Sequence, residues 1–324
     1  MRVDPHELMQ QIIATAKQLG VQSIAAGFTR NRERMVRFSN NSITVTNSWL
    51  TETPTIYLVT SKKRAACRIE EQNPTDLNSV IEELVKAMKV TPEGDVSFTL
   101  PKGPFKYEPV QGIYDKKVAE AETELVDAVE IGINSAKKEG AVRVSGVVSS
   151  SAWERYVLTS AGAEGSDRGT EIEMTIRAFT ADDAAGQGIS VATGVQDYKP
   201  EEAGRAAGGI AKMAQNPEPG EPGKYNVVFG PSVFANLLNR VGASTSAYTV
   251  DQGLSFFQDM VKKKVASDIF TLYDNSHLPG GPGSPESRSS TLCPSCSRFD
   301  HPGRPRPGGP NGDPDQRIGA SRGH

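Results

Sequence analysis

Residues 224–257 read KYNVVFGPSVFANLLNRVGASTSAYTVDQGLSFF, and their punctuation decides how this part of the chain is built. The apolar run 225–229 stops at Gly230-Pro231, which predicts a short strand followed by a turn. Pro231 suits the first turn of a helix, because the N–H it lacks would have no partner there in any case. Val233, Phe234, Leu237, Leu238 and Val241 then recur at helical spacing, and Gly242 supplies a C-terminal stop.

The same patterns extend outward on both sides. Upstream, Glu171-Ile172-Glu173-Met174-Thr175-Ile176-Arg177 alternates strictly, predicting an antiparallel strand with one wet face. Further strands are expected at 142–149, 154–159 and 188–193, and helices at 115–138 and from Lys199 to about 215. Near the amino end, Asp4 and Pro5 open a helix whose buried stripe is Leu8, Ile12, Ala16 and Leu19, and Gly20 closes it. Strand-like runs follow at 23–28, 34–38, 43–47, 55–60 and 64–69, with Asn40-Asn41 as a turn. Asn73-Pro74-Thr75 starts a second helix with Leu77, Val80, Ile81, Leu84, Val85 and Met88 inward. The expected class is α+β, helices packed on antiparallel sheets. Its parts are an N-terminal α+β domain at 1–90, a surface-packed linker at 91–114 and a central antiparallel-sheet domain at 115–223. A strand–helix segment at 224–281 and a Pro/Gly/Ser/Arg-rich tail at 282–324 complete it.

Composition narrows function. A net charge of −3 and a pI near 5.9 give no basic surface for nucleic acid or an anionic membrane. The first twenty residues are too polar for a signal peptide and no apolar run approaches a membrane span, so a soluble, cytoplasmic protein is expected. Three cysteines, Cys67 alone and two in the tail, make no disulfide framework. Individual candidates read as structural: His6 as a surface residue, Cys67 as a core residue, and Arg30, Arg32, Arg34 and Arg37 as a solvated sheet face. Glu171 and Glu173 read as solvent-facing charges. Gly186-Gln187-Gly188 joins antiparallel strands and opens no helix, so it is no nucleotide loop.

Strand, Gly-Pro, helix with paired leucines and Ser/Gly-rich loop together resemble the central segment of the TldD/PmbA (TldD/TldE) family. Thr159-Ser160-Ala161-Gly162 stands where that family shows an Asn-Ser-x-Gly turn. Asp274 with Pro279-Gly280-Gly281 matches the family's approach to its carboxy-terminal sheet. In the catalytic member, TldD, the helix carries His-Glu-x-x-x-His, two zinc ligands and a general base. The corresponding positions here hold Leu238, Asn239 and Ala243. Leucine and alanine cannot ligate zinc, and an amide has no lone pair basic enough to take a proton from water.

The resemblance therefore implies the non-catalytic, TldE/PmbA-like subunit of a heterodimeric zinc metallopeptidase that processes small or unfolded peptides. It implies no catalytic, cofactor-binding or metal residue in this chain, zinc in a TldD-like catalytic partner, and no nucleic-acid or membrane partner. The alternatives are a metallopeptidase in its own right and a regulatory protein of the "modulator of DNA gyrase" type. The resemblance stops after Gly281, where a frameshift or truncation is expected to have replaced the family's last sheet. About a third of the tail is glycine or proline, a composition expected to stay disordered. It carries one zinc half-site, Cys293-Pro294-Ser295-Cys296, with His301 and His324 scattered beyond, short of the four ligands a structural site needs.

Overall fold

A computed structural model of the chain describes residues 4–60, 62–69, 77–94, 99–100, 102–106, 110–272 and 279–281. The chain forms two compact units. The first takes in Met1–Glu218 and the returning chain at 279–281, and the second is Pro219–Ser276.

The first unit is organised on one six-stranded antiparallel sheet in the order β3-β2-β1-β4-β5-β6. Its strands are β1 (Ser23–Ser39), β2 (Ser42–Thr60), β3 (Lys63–Arg68), β4 (Arg143–Thr159), β5 (Glu164–Phe179) and β6 (Ala185–Ala192). Asn40 and Asn41 reverse β1 into β2 with φ of 50° and 65°, the left-handed pair that a two-residue hairpin turn requires. Several short runs expected from sequence prove to be parts of longer strands. The stretch 29–33 looks like a break because charged residues occupy alternate positions, yet it continues β1 without interruption. The serines at 149–151 likewise lie within β4.

Five helices complete this unit: α1 (Pro5–Gln18), α2 (Leu77–Val90), α3 (Lys116–Glu120), α4 (Thr123–Lys138) and α5 (Pro200–Met213). Asp4 caps α1, its Oδ1 accepting from the amides of His6 (2.8 Å) and Glu7 (3.0 Å). Ile12 and Ala16 are buried as expected, with Met9 and Ile13 beside them, while Leu8 and Leu19 pack at the margin. One core joins α1 and α2 to Ile24, Ala26, Phe28, Ile56 and Leu58. A second joins α4 and α5 to Val36, Phe38, Val144, Val148, Met174 and Ile176. The β1 residues in both cores are even-numbered, and successive strand residues alternate faces. Both helix pairs therefore cover the same face of the sheet, at its two ends.

The helix expected over 115–138 is broken. Asp115 caps α3 through the Lys117 amide (2.8 Å), and the chain leaves helical geometry at Ala121 (φ −59°, ψ 129°) before α4 begins. The break lets Val118, Ala121 and Leu125 all reach the core. The α3 carbonyl of Ala119, left open by the break, accepts from Arg34 (2.9 Å).

Gly186 and Gly188 are interior to β6, and a Cβ on either would collide with the carbonyl oxygens of Ala207 and Ala203 in α5. These glycines let the helix backbone sit directly on the sheet, the physical reason for the Gly-x-Gly spacing. Among the described residues of 91–114, Gly103 donates to the Ala161 carbonyl (3.1 Å), and Ile113 is buried.

In the second unit, α6 (Pro231–Ser244) forms where the spacing predicts, with the Phe234 amide closing the first turn on Gly230 (3.0 Å). It runs two residues past Gly242. A short helix, α7 (Ala247–Asp251), follows, and Ser255 Oγ donates to the Ser244 carbonyl (2.6 Å). The strand expected at 225–229 does not form. A strand needs a neighbour to take its backbone hydrogen bonds, and none runs beside it among the described residues. Its side chains are correspondingly open, with Val228 97% exposed.

Candidate functional site

The site singled out by sequence is the outer part of α6. Leu238 is partly buried there, and Asn239 and Ala243 are exposed. This face offers one amide and two hydrocarbon side chains, a donor set that does not fit zinc, which takes thiolate, imidazole or carboxylate ligands. No group of three or more His, Cys, Asp or Glu side chains among the described residues could hold a metal ion either. The tail residues Cys293, Cys296, His301 and His324 lie outside the described residues, as does His277. His6 is exposed as expected, its Nε2 3.9 Å from Glu164.

Around α6 the apolar residues point outward. Val233, Phe234 and Leu237 are each more than two-fifths exposed, Val227 and Phe229 more than half, and no α6 residue is buried. Phe234 makes one aromatic contact within the unit, edge-on to Phe270 with centroids 6.4 Å apart.

The arginine cluster is only in part the solvated face that the sequence suggests. Arg30 is buried, its guanidinium lying between two carboxylates on flanking strands: Nε to Glu52 at 2.6 Å and Nη1 to Glu154 at 3.2 Å. The register places Glu52, Arg30 and Glu154 in one row across β2, β1 and β4. Arg34, four residues further along β1, reaches Ala119 and Glu122 of the α3–α4 junction. Both arginines occupy the gap between the two helix pairs, where an apolar side chain would have no core to join. Arg32 and Arg37 are exposed. Sequence could not reveal this because the partners come from strands whose register is set only on folding.

On the opposite face the register adds Glu33 to Glu171 and Glu173, which are half-buried where the sequence reads them as solvent-facing. Glu33, Ser151 and Glu171 share one row, and Ser149 and Glu173 share the next row but one along the strands. Burial pushes the carboxyls of Glu33 and Glu171 above the ordinary range, and Glu173 and Glu33 raise Glu171 further. Burial, with Glu173 nearby, pushes the Tyr198 phenol well up too, and its hydroxyl finds no partner among the described residues. Glu33 and Glu171 stand two strand spacings apart, about 10 Å. No ion pair holds either of them among the described residues. The group forms a half-buried acidic wall and lacks the paired geometry of an acid–base site. Cys67 is half-buried against the α1–α2 core, and burial pushes its thiol up, which disfavours the nucleophilic thiolate.

The model for the PmbA/TldA metallopeptidase central domain matches residues 114–215, and that for the PmbA/TldA metallopeptidase C-terminal domain matches 222–287. Together they span just over half of the chain. No curated protein matches it in sequence.

Among solved structures, one from Bacteroides thetaiotaomicron described as a modulator of DNA gyrase shares 18% identity. It has a TM-score of 0.71, with 86% of this chain and 66% of that one covered. TldE from Thermococcus kodakarensis shares 20% identity at TM-score 0.66, covering 84% and 62%. A modulator of a DNA gyrase from Thermotoga maritima shares 20% at TM-score 0.64, covering 80% and 60%. At these identities the structures establish the fold alone, and this chain spans 60–66% of their length. The central strand–helix layout, the α6 segment and the matched domains agree: the chain belongs to the PmbA/TldD metallopeptidase family.

Proposed function

We propose that this chain is a TldE/PmbA-like, non-catalytic subunit of a heterodimeric zinc metallopeptidase acting on small or unfolded peptides in the cytoplasm. The observation that carries the reading is on α6, where Leu238, Asn239 and Ala243, which the resemblance sets against the family's metal-and-base positions, offer no ligand and no base. In this reading the zinc and the catalytic base belong to a TldD-like partner. The exposed apolar surface of the second unit supports it further. Val227, Val228, Phe229, Val233 and Leu237 lie within a few turns of one another in sequence and stand open. Exposed apolar side chains grouped this closely along the chain are a feature of interaction surfaces. The test is to mix the purified chain with a TldD-like catalytic subunit and follow complex formation by size-exclusion chromatography together with peptide hydrolysis. A stable complex whose activity depends on both chains is expected. A catalytic subunit that neither binds this chain nor changes in activity would contradict the reading.

A peptidase acting alone is the competing possibility within the family, and the α6 donor set speaks against it. The gyrase wording belongs to the two structural neighbours that carry it.

A further inference from the structure

Where the chain returns to the first unit, Pro279-Gly280-Gly281 meets a small polar recess. The Gly280 amide donates to the Gln111 carbonyl at 2.9 Å. Thr193 lies beneath, 6% exposed, its hydroxyl 2.9 Å from the Gly112 carbonyl and 3.2 Å from the Gly280 carbonyl, so its single proton serves both.

The floor of the recess is fixed by further bonds. Thr170, 2% exposed, donates its hydroxyl to the Thr193 carbonyl (2.7 Å) and accepts from the Asp115 amide (2.8 Å). The Thr170 amide donates to the Ile113 carbonyl (2.8 Å), and Asp115 Oδ2 accepts from the Val195 amide (3.0 Å). The approach is close enough that only glycine fits. Gly112 has φ +74°, and a Cβ there would sit 3.1 Å from the Gly280 nitrogen and 3.2 Å from its Cα. Gly280 itself has φ +62°. Linker, β5 and the loop after β6 thus each contribute a polar group to one seat, and the groups not used by the seat itself are met by Gly280.

We propose that residues 279–281 form a strap held in this preformed seat by Thr193, and that the strap fixes the point where the chain re-enters the first unit. In sequence, residues 219–276 run between α5 and the strap. This matters because α6 buries none of its own residues, so packing within the helix's surroundings supplies little hold. The inference is independent of the catalytic role proposed above, since it concerns hydrogen bonds within the first unit.

The test is residue-resolved amide hydrogen exchange on the full chain and its T193V and T193S variants. Valine keeps the shape and removes the shared proton; serine keeps the hydroxyl. In T193V, exchange at Gly280 is expected to quicken roughly tenfold while Met174 and Ile176 in β5 keep wild-type protection. In T193S, Gly280 is expected to remain near wild type. Unchanged exchange at Gly280 in T193V would overturn the strap, and so would equal loss at Gly280 and in β5. The same holds if T193S behaves as T193V. G112A, which crowds Gly280 from the other side, is expected to reproduce T193V.

Discussion

Replacing Gly188 by alanine and Gly209 by alanine should move stability in opposite directions, and the structure says why. A Cβ on Gly188 would meet the Ala203 carbonyl carbon at 2.7 Å and Cα at 3.1 Å, with the carbonyl oxygen nearer still. All three are backbone atoms of α5 and no rotamer change can clear them. The helix is also fixed sideways, since a Cβ on its own Gly204 or Gly208 would collide with the Gly132 and Ala136 carbonyl oxygens of α4, packed beside it on the same face of the sheet. Overpacking against a fixed backbone costs about 1–3 kcal/mol. At Gly209, also in α5, no heavy atom lies within 4 Å of the added carbon. Alanine there gains the helix-propensity difference over glycine, about 0.8–1 kcal/mol at most. The two variants should therefore differ by roughly 2–4 kcal/mol in unfolding free energy. Urea unfolding followed by far-ultraviolet circular dichroism, compared at constant slope, reads this directly. A G188A midpoint at or above wild type, or a G209A midpoint below it, would refute the seating of α5 on β6.

Two further perturbations probe the sheet faces, and T193V above probes the strap. R30M leaves Glu52 and Glu154 in one row without their shared cation. Because both carboxylates are partly solvated, the loss should be about 2–3 kcal/mol by urea unfolding, and R30M/E52Q/E154Q should recover most of it. Glu171 carries a folded-state pKa raised by burial, so its ionisation opposes folding. The penalty is absent below the unfolded value, about 4.3, grows as pH rises from there to the raised folded value, and is constant above it. E171Q should thus raise the urea midpoint at pH 7 and lose that advantage as pH falls below about 4. A gain that persists unchanged at low pH would show that the carboxyl's charge is not the cause.

Much of the first unit was legible because each element carries its own local instruction. Asp4-Pro5 starts α1, Asn40-Asn41 turns β1 into β2, and the alternation at 171–177 marks β5 and its buried face. What sequence concealed depends on register. Arg30 reads as one of four surface cations until β2 and β4 bring Glu52 and Glu154 to its sides. Glu33 and Glu171 lie 138 positions apart, and only β4 places them in one row. The break at Ala121 was hidden because helical periodicity continues across it. The strand expected at 225–229 failed for the converse reason: its local pattern is sound, but a strand is completed by a neighbour. At α6 the signal is chemical and local: Leu238, Asn239 and Ala243 offer neither a zinc ligand nor a base.

The central claim, that this chain lacks metal and base of its own, is tested most directly by measuring zinc content and peptide hydrolysis on the purified chain alone. Substoichiometric zinc and no chelator-sensitive cleavage are expected. One zinc per chain, with hydrolysis abolished by a chelator and restored by the metal, would contradict it.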